Sequence, residues 1–181
     1  VEAFTGIPGT VGGALAMNAG AFGSEIGDVV RSVAMMEDTG AVMVKQRGEL
    51  RFEYRNLILP EGALILRCVI GVRESEGKEI AAKLKNVQRL RSRSQPWNVP
   101  TAGSIFKNPE EAPAGQLIDE LGLKGYRIGD ARISEKHANF ILNEGGATAA
   151  DVLALMAFVR DEVYEKRGIR LIPEVHIIGE G

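Results

Sequence analysis

Gly6-Ile7-Pro8-Gly9-Thr10-Val11-Gly12-Gly13-Ala14, continuing through Asn18-Ala19-Gly20-Ala21-Phe22-Gly23, is the stretch from which the rest of the chain is read. Glycine recurs through it and charge is absent. A backbone without Cβ takes positive φ readily and can be approached closely by a ligand. Pro8 and Gly9 suit a turn, and Val11 to Met17 has the composition of a helix. Free N–H groups at a helix start or in a glycine nest suit a phosphate or a ligand carbonyl. A tight loop between two packed elements would explain the same glycines without a ligand. The spacing is not GxGxxG, and no Lys-Ser/Thr pair follows, so both common phosphate motifs are excluded.

Working outward, 181 residues with 45% hydrophobic and 6% aromatic content make one or two small domains with a real core. A net charge of −2 gives no electrostatic case for wholesale nucleic-acid binding. The single Cys68 excludes an internal disulfide and a cysteine metal cluster; within the apolar run 63–72 it reads as a buried, inert thiol. His137 and His176 are too few for a histidine metal site, so no metal is expected. No apolar stretch is long enough for a membrane span and no signal peptide is present, which points to the cytoplasm. The chain opens on Val1 and reaches the glycine loop almost at once, so it is expected to be a C-terminal piece of a longer protein.

The elements expected downstream are mixed, an α+β architecture. Residues 29–37 read as a strand, Asp38-Thr39-Gly40 as a turn and 41–45 as the returning strand. Residues 52–56 read as irregular and 63–73 as a buried strand. After a surface turn at 74–78, residues 79–94 are helical, with Ile80, Leu84, Val87 and Leu90 as one buried stripe. Arg89, Arg91 and Arg93 close that helix, either complementing its dipole or forming a solvated basic face. Pro96 and Pro100 bracket a connector, placing a domain seam between residues 1–95 and 96–181. The run 101–109 then brings a hydroxyl, an ammonium and an amide together in Ser104, Lys107 and Asn108. A short helix at 113–121 and strand material in 132–143, with Phe140 to Leu142 buried, follow. Thr148 and Asp151 open the longest helix, Gly168 stops it, and Val152, Leu155, Met156, Val159, Val163 and Tyr164 form its core stripe. Residues 171–178 read as a last strand carrying Glu174.

Four separated blocks resemble one family, the UDP-N-acetylenolpyruvoylglucosamine reductases (MurB). They are GIPGTVGGALAMNAGAFG, FEYRN, PTAGSIFKNP with the following GQLIDELGLKGYRIGDARISEKHANFILN, and PEVHIIGE, in this order along essentially the whole chain. The resemblance implies a flavoenzyme of peptidoglycan precursor synthesis. NADPH reduces FAD, which then reduces the enolpyruvyl ether of UDP-N-acetylglucosamine to UDP-N-acetylmuramate. It also implies that residues 1–95 are the second half of a two-part FAD-binding domain, the first half lying upstream, and that 96–181 are a substrate domain whose last strand returns toward the flavin. Only residues 74–78 separate strand from basic helix, so the chain resembles the shorter type that lacks a tyrosine-bearing insertion.

The chemistry sets its own demands. Hydride adds to the terminal carbon of a double bond conjugated to a carboxylate, charge grows on that carboxylate, and the neighbouring carbon takes a proton. By the resemblance, Arg55 is the planar cation for the carboxylate, Glu174 helps stabilise the enolate, and Ser104 is the proton donor. Gly6, Ile7, Pro8, Gly9, Thr10, Gly12, Gly13, Asn18 and Gly20 are the implied cofactor contacts. Lys107 and Asn108, with Arg93, are the candidates for the UDP diphosphate, Arg89 and Arg91 less so. Ser94 stands where many members have a lysine, and His176 where they often have an arginine. Taken singly, Arg55 could cap a strand, Ser104 could be a turn hydroxyl and Glu174 a surface ion-pair partner. Other readings are a non-catalytic nucleotide-sugar-binding module, or another FAD-linked oxidoreductase of similar architecture.

Overall fold

The structure, a computed structural model, describes residues 1–179. The chain forms two compact units, Val1–Leu90 and Arg91–Gly181.

In the first unit, Thr10 starts helix α1 (Val11–Ala16): its hydroxyl accepts the Gly13 N–H at 3.1 Å, the usual service of an N-cap threonine. The sheet is three antiparallel strands, with β3 (Val30–Met36) between β4 (Val42–Gln46) and β7 (Leu64–Ile70). Val33 and Met35 point to one face, as alternation along a strand requires, and join Leu15 of α1, Ile26, Leu50 and Leu57 in the core. Two short hairpins flank it: β1 (Gly20–Ala21) with β2 (Ser24–Glu25), and β5 (Phe52–Glu53) with β6 (Asn56–Leu57). Phe22 and Gly23, at φ 51° and 77°, make the first turn, the twin positive φ that two-residue hairpins favour.

Three expectations for this half need correction. Residues 52–56 are not irregular but form the β5–β6 hairpin. The run at 63–73 is not a buried strand: β7 is an edge strand, and Leu64, Leu66 and Ile70 are exposed while Ile65 and Cys68 pack on the core. Cys68 is accordingly half-buried and free rather than enclosed. Helix α2 (Gly77–Ser94) does not bury its apolar stripe: Ile80, Leu84 and Val87 are half-covered, Leu90 is exposed, and its buried residue is Arg91. The stripe is narrow and flanked by lysine and arginine, too little apolar surface to be enclosed.

The second unit is a four-stranded antiparallel sheet in the order β8 (Thr101–Ser104), β11 (Phe140–Asn143), β10 (Ala131–Ile133), β9 (Arg127–Ile128), with helices α3 (Ala114–Glu120) and α4 (Ala149–Arg167). Leu117 and Ile118 of α3, Leu155, Val159 and Val163 of α4, and Ile105, Phe106, Ile133 and Ile141 make its core. The capping box forms, with the Asp151 N–H on Thr148 Oγ1 at 3.1 Å and the Thr148 N–H on Asp151 Oδ2 at 2.8 Å. Gly168, at φ 69°, ends the helix in the left-handed region. Tyr164 lies outside the core, exposed, with the Arg170 guanidinium over its ring, and Val152 is only half-buried. Residues 171–178 do not form a strand. A single bridge joins Pro173 to Phe106, and Ile177 and Ile178 are exposed. Pro173 has no N–H to extend a ladder, which limits pairing there.

Candidate active site

In the first unit the glycine loop leaves its backbone open. Gly6 and Gly9 sit at φ 84° and 134°, and a Cβ at Gly9 would meet nothing within 4 Å. That openness fits a loop approached closely by a ligand. Asn18 differs from its neighbours. Its side chain is buried at 0% exposure, and its amide donates to Glu25 Oε2 at 2.6 Å and to the Glu53 carbonyl at 2.9 Å. Its Oδ1 accepts the Gly27 N–H at 3.1 Å. Both donors are spent inside the fold, so this side chain builds the scaffold and offers no donor to a ligand. Arg55 stands in the turn of the β5–β6 hairpin at φ 56°, half-buried, its guanidinium carbon 5.1 Å from the Tyr54 ring centre.

In the second unit Ser104 ends β8, directly after Gly103 at φ 84°. The next residues are seated by Asn139, which is 3% exposed. Its Oδ1 accepts the Phe106 N–H at 3.0 Å, its Nδ2 donates to the Phe106 carbonyl at 2.8 Å, and its own carbonyl accepts the Ile105 N–H at 2.9 Å. One side chain thus replaces a stretch of neighbouring strand. Opposite, the Glu174 N–H donates to the Ile105 carbonyl at 2.7 Å and the Lys107 N–H to the Ile172 carbonyl at 2.8 Å. Glu174 is thereby tied to the residue that follows Ser104, so these two expected site residues share one backbone junction.

A shallow cavity of about 320 Å³ opens beside that junction, lined by Ser104 and Asn108 together with Gln116, Lys124, Lys136 and His137. Asn108 Oδ1 accepts the Ala114 N–H at 3.0 Å and so also opens α3. Lys124 pairs with Asp119 at 2.6 Å, and Lys136 donates to the Ser92 carbonyl in the last turn of α2, where a cation complements the helix end. Burial pushes His137 below the usual imidazole range, and Lys124 adds to the push. Its Nδ1 accepts the Asn139 N–H at 3.3 Å, which assigns the proton of the neutral ring to Nε2. The ring stands edge-on to Phe140 at 4.8 Å, and a Cβ on Gly115 would come within 2.9 Å of its Cε1. Lys107 is absent from the cavity lining, and Arg93 is exposed on α2. Gln116, Lys124, Lys136 and His137 are cavity residues that no local pattern singles out. The available signal was their place in the GQLIDELGLKGYRIGDARISEKHANFILN block. Among the described residues no group of three or more His, Cys, Asp or Glu could hold a metal, and no helix is long and apolar enough to cross a membrane.

The second unit defines the class first: residues 95–178 match the family model described as UDP-N-acetylenolpyruvoylglucosamine reductase, C-terminal domain. The reductase of Syntrophus aciditrophicus is 49% identical over 180 residues, covering 99% of this chain and 58% of that protein. One from Bacillus licheniformis is 44% identical over 182 residues, covering 99% of both chains. The crystal structure of UDP-N-acetylenolpyruvylglucosamine reductase (MurB) from Thermus caldophilus superimposes with a TM-score of 0.87 at 42% identity, over 97% of this chain and 62% of that one. The chain belongs to the UDP-N-acetylenolpyruvoylglucosamine reductase family. It spans 58 to 60% of the length of the first curated relatives it matches.

Proposed function

We propose that this chain forms part of a cytoplasmic, FAD-dependent enzyme that reduces the enolpyruvyl ether of UDP-N-acetylglucosamine to UDP-N-acetylmuramate with NADPH, in peptidoglycan precursor synthesis. The observation that carries the reading is the whole-chain identity to proteins named for this reductase, 44% with the Bacillus licheniformis one. Residues 1–95 act as part of the flavin domain and 96–181 as the substrate domain. The open backbone at Gly6 and Gly9 fits a cofactor edge, since nothing lies within 4 Å of where a Cβ would stand on Gly9. Ile7, Pro8, Thr10, Gly12 and Gly13 line the same loop.

The loop of Gly6 to Gly13 would hold FAD, and the chemistry supplied there would be hydride, drawn from NADPH, for the terminal carbon of the enolpyruvyl double bond. Arg55 binds the substrate carboxylate as the better match for a planar, two-oxygen anion. Ser104 gives its hydroxyl proton to the carbon beside that carboxylate, and the lysines of the neighbouring cavity favour the oxygen that has lost it. Glu174, whose backbone N–H is held at the Ile105 carbonyl, stabilises the enolate only as a protonated carboxyl that donates a hydrogen bond to it, or when itself bonded to Arg55. Asn108, Lys124 and Lys136 supply polar and cationic groups for a diphosphate, with Lys107 and Arg93 as the further candidates.

The test is direct. The intact protein that carries this sequence is mixed with NADPH and the enolpyruvyl UDP-sugar, and the product is weighed by mass spectrometry. NADPH consumption that depends on the UDP-sugar, with a product two hydrogens heavier, is expected. No substrate-dependent consumption overturns the proposal.

A further inference from the structure

We infer that Gly20, with Asn18 behind it, is a positioning residue for Arg55: the missing Cβ is the seat of the guanidinium. This rests on the role proposed above for Arg55. A Cβ on Gly20 would stand 2.9 Å from Arg55 Nη1, 3.1 Å from Glu25 Cγ and 3.1 Å from the Ser24 carbonyl oxygen. Gly20 is not among the residues at positive φ, so its backbone asks for no glycine. What the position needs is room, and of the three atoms that border it the end of the Arg55 side chain comes closest.

Asn18 fixes the other coordinate. Its bond to the Glu53 carbonyl grips the β5 strand two residues before Arg55. Its bonds to Glu25 Oε2 and from the Gly27 N–H grip the segment that carries β2. One fully buried amide therefore ties the hairpin of Gly20 to the hairpin of Arg55. The left-handed φ of 56° at Arg55 is costly for a residue with a side chain, and such a conformation persists only where its surroundings over-determine it. The Glu53–Asn56 pairing and the Asn18 clamp are those surroundings. The glycine segment thus sets the angle at which a cation meets the substrate, separately from any contact with a cofactor.

The experiment compares Gly20→Ala, Arg55→Ala and the double variant in the intact holoenzyme, following each half-reaction by stopped-flow absorbance and measuring bound FAD. With Gly20 as the seat of Arg55 rather than the cofactor contact the resemblance implies, Gly20→Ala is expected to keep its FAD and its rate of flavin reduction by NADPH. Flavin reoxidation by the enolpyruvyl substrate should slow ~10- to 10²-fold, mainly in kcat, the scale of a misplaced reacting group. In the Arg55→Ala background, adding Gly20→Ala should slow reoxidation far less than it does alone, because Nη1, the closest of the three atoms a new Cβ meets, is gone while Glu25 Cγ and the Ser24 carbonyl remain. Loss of FAD or of the NADPH half-reaction in Gly20→Ala overturns the inference, as does the same slowing in both backgrounds. Unchanged reoxidation in Arg55→Ala would instead overturn the role of Arg55 itself. Should Gly20→Ala fail to fold, Gly20→Ala with Arg55→Lys decides, since lysine lacks the colliding Nη1. Recovery of the fold supports the inference, and no recovery overturns it.

Discussion

Ser104 is a weak acid wherever water surrounds it, so its place matters more than its type. Here it ends a strand at a junction fixed by Asn139 and Glu174, beside Lys124 and Lys136. If Ser104 gives the proton, it acts only after hydride has reached the substrate. Ser104→Ala in the intact enzyme should therefore leave flavin bleaching by NADPH nearly unchanged. Reoxidation by the enolpyruvyl substrate should fall by ~10²-fold or more, the scale of a lost general acid. Equal slowing of both halves would mark a structural residue instead. The cavity lining separates two lysines in the same way. Lys136→Ala is expected to raise KM for the UDP-sugar more than Lys107→Ala does, with kcat little changed in either. The diphosphate carries the same charge throughout the reaction, so its partner contributes uniform binding. Steady-state kinetics on both variants decides, and a larger KM effect at Lys107 would make Lys107 the diphosphate partner instead.

At the scale of elements, the region around β11 and α3 holds a neutral histidine whose burial has a pH signature. The folded state keeps His137 below its ordinary value of 6.5, so the unfolded chain binds the proton more readily. Its contribution is complete above that value and is lost as pH falls from there through the lower folded value. Urea midpoints of wild type and His137→Gln should differ less at pH 5 than at pH 7.5. A parallel fall of both curves would remove His137 from the account. The start of α4 offers a second check: Thr148→Ala should cost about 1 kcal/mol in thermal or urea unfolding, a typical value for an N-cap.

These elements also show what the sequence carries in legible form. Thr148, Asp151 and Gly168 were readable because caps are local chemistry, and the apolar repeat between them has one meaning. The β3–β4 hairpin was readable because Asp38-Thr39-Gly40 is turn chemistry between two apolar runs. The β5–β6 hairpin was not, because Tyr54 and Arg55 are no turn formers; Arg55 is held there by pairing and by Asn18, both tertiary. The exposure of β7 was hidden for a related reason. An apolar strand reads the same whether one of its faces is covered or two. Of the candidate site, Ser104 and Glu174 are named by the blocks that carry them, and their junction at Ile105 is invisible to any local pattern. Asn18 is a cofactor contact by the resemblance, and the bonds that engage its amide inside the fold are invisible to any local pattern.

For the whole molecule, two cores with no residue in common allow the two activities asked of the chain to be probed separately. Hydrogen exchange on the intact protein should show UDP slowing amides at 104–108 and 134–140, the segments that line the cavity. Amides of β4, in the other unit, should be unaffected. Protection of β4 without protection of 104–108 would place the nucleotide elsewhere.

The Asn139 clasp carries a consequence in time. Phe106 is seated by a side chain 33 residues further along, and Ile105 and Lys107 by backbone further along still. Contacts of such separation form late, because the loop between them must first be closed. Strands β9 to β11 and α4 can therefore reach their places while the Ser104 segment is still unfixed. On a ribosome the Ser104 segment is completed only when Ile172 to Glu174 have emerged, so residues made long after Ser104 fix the place of its hydroxyl.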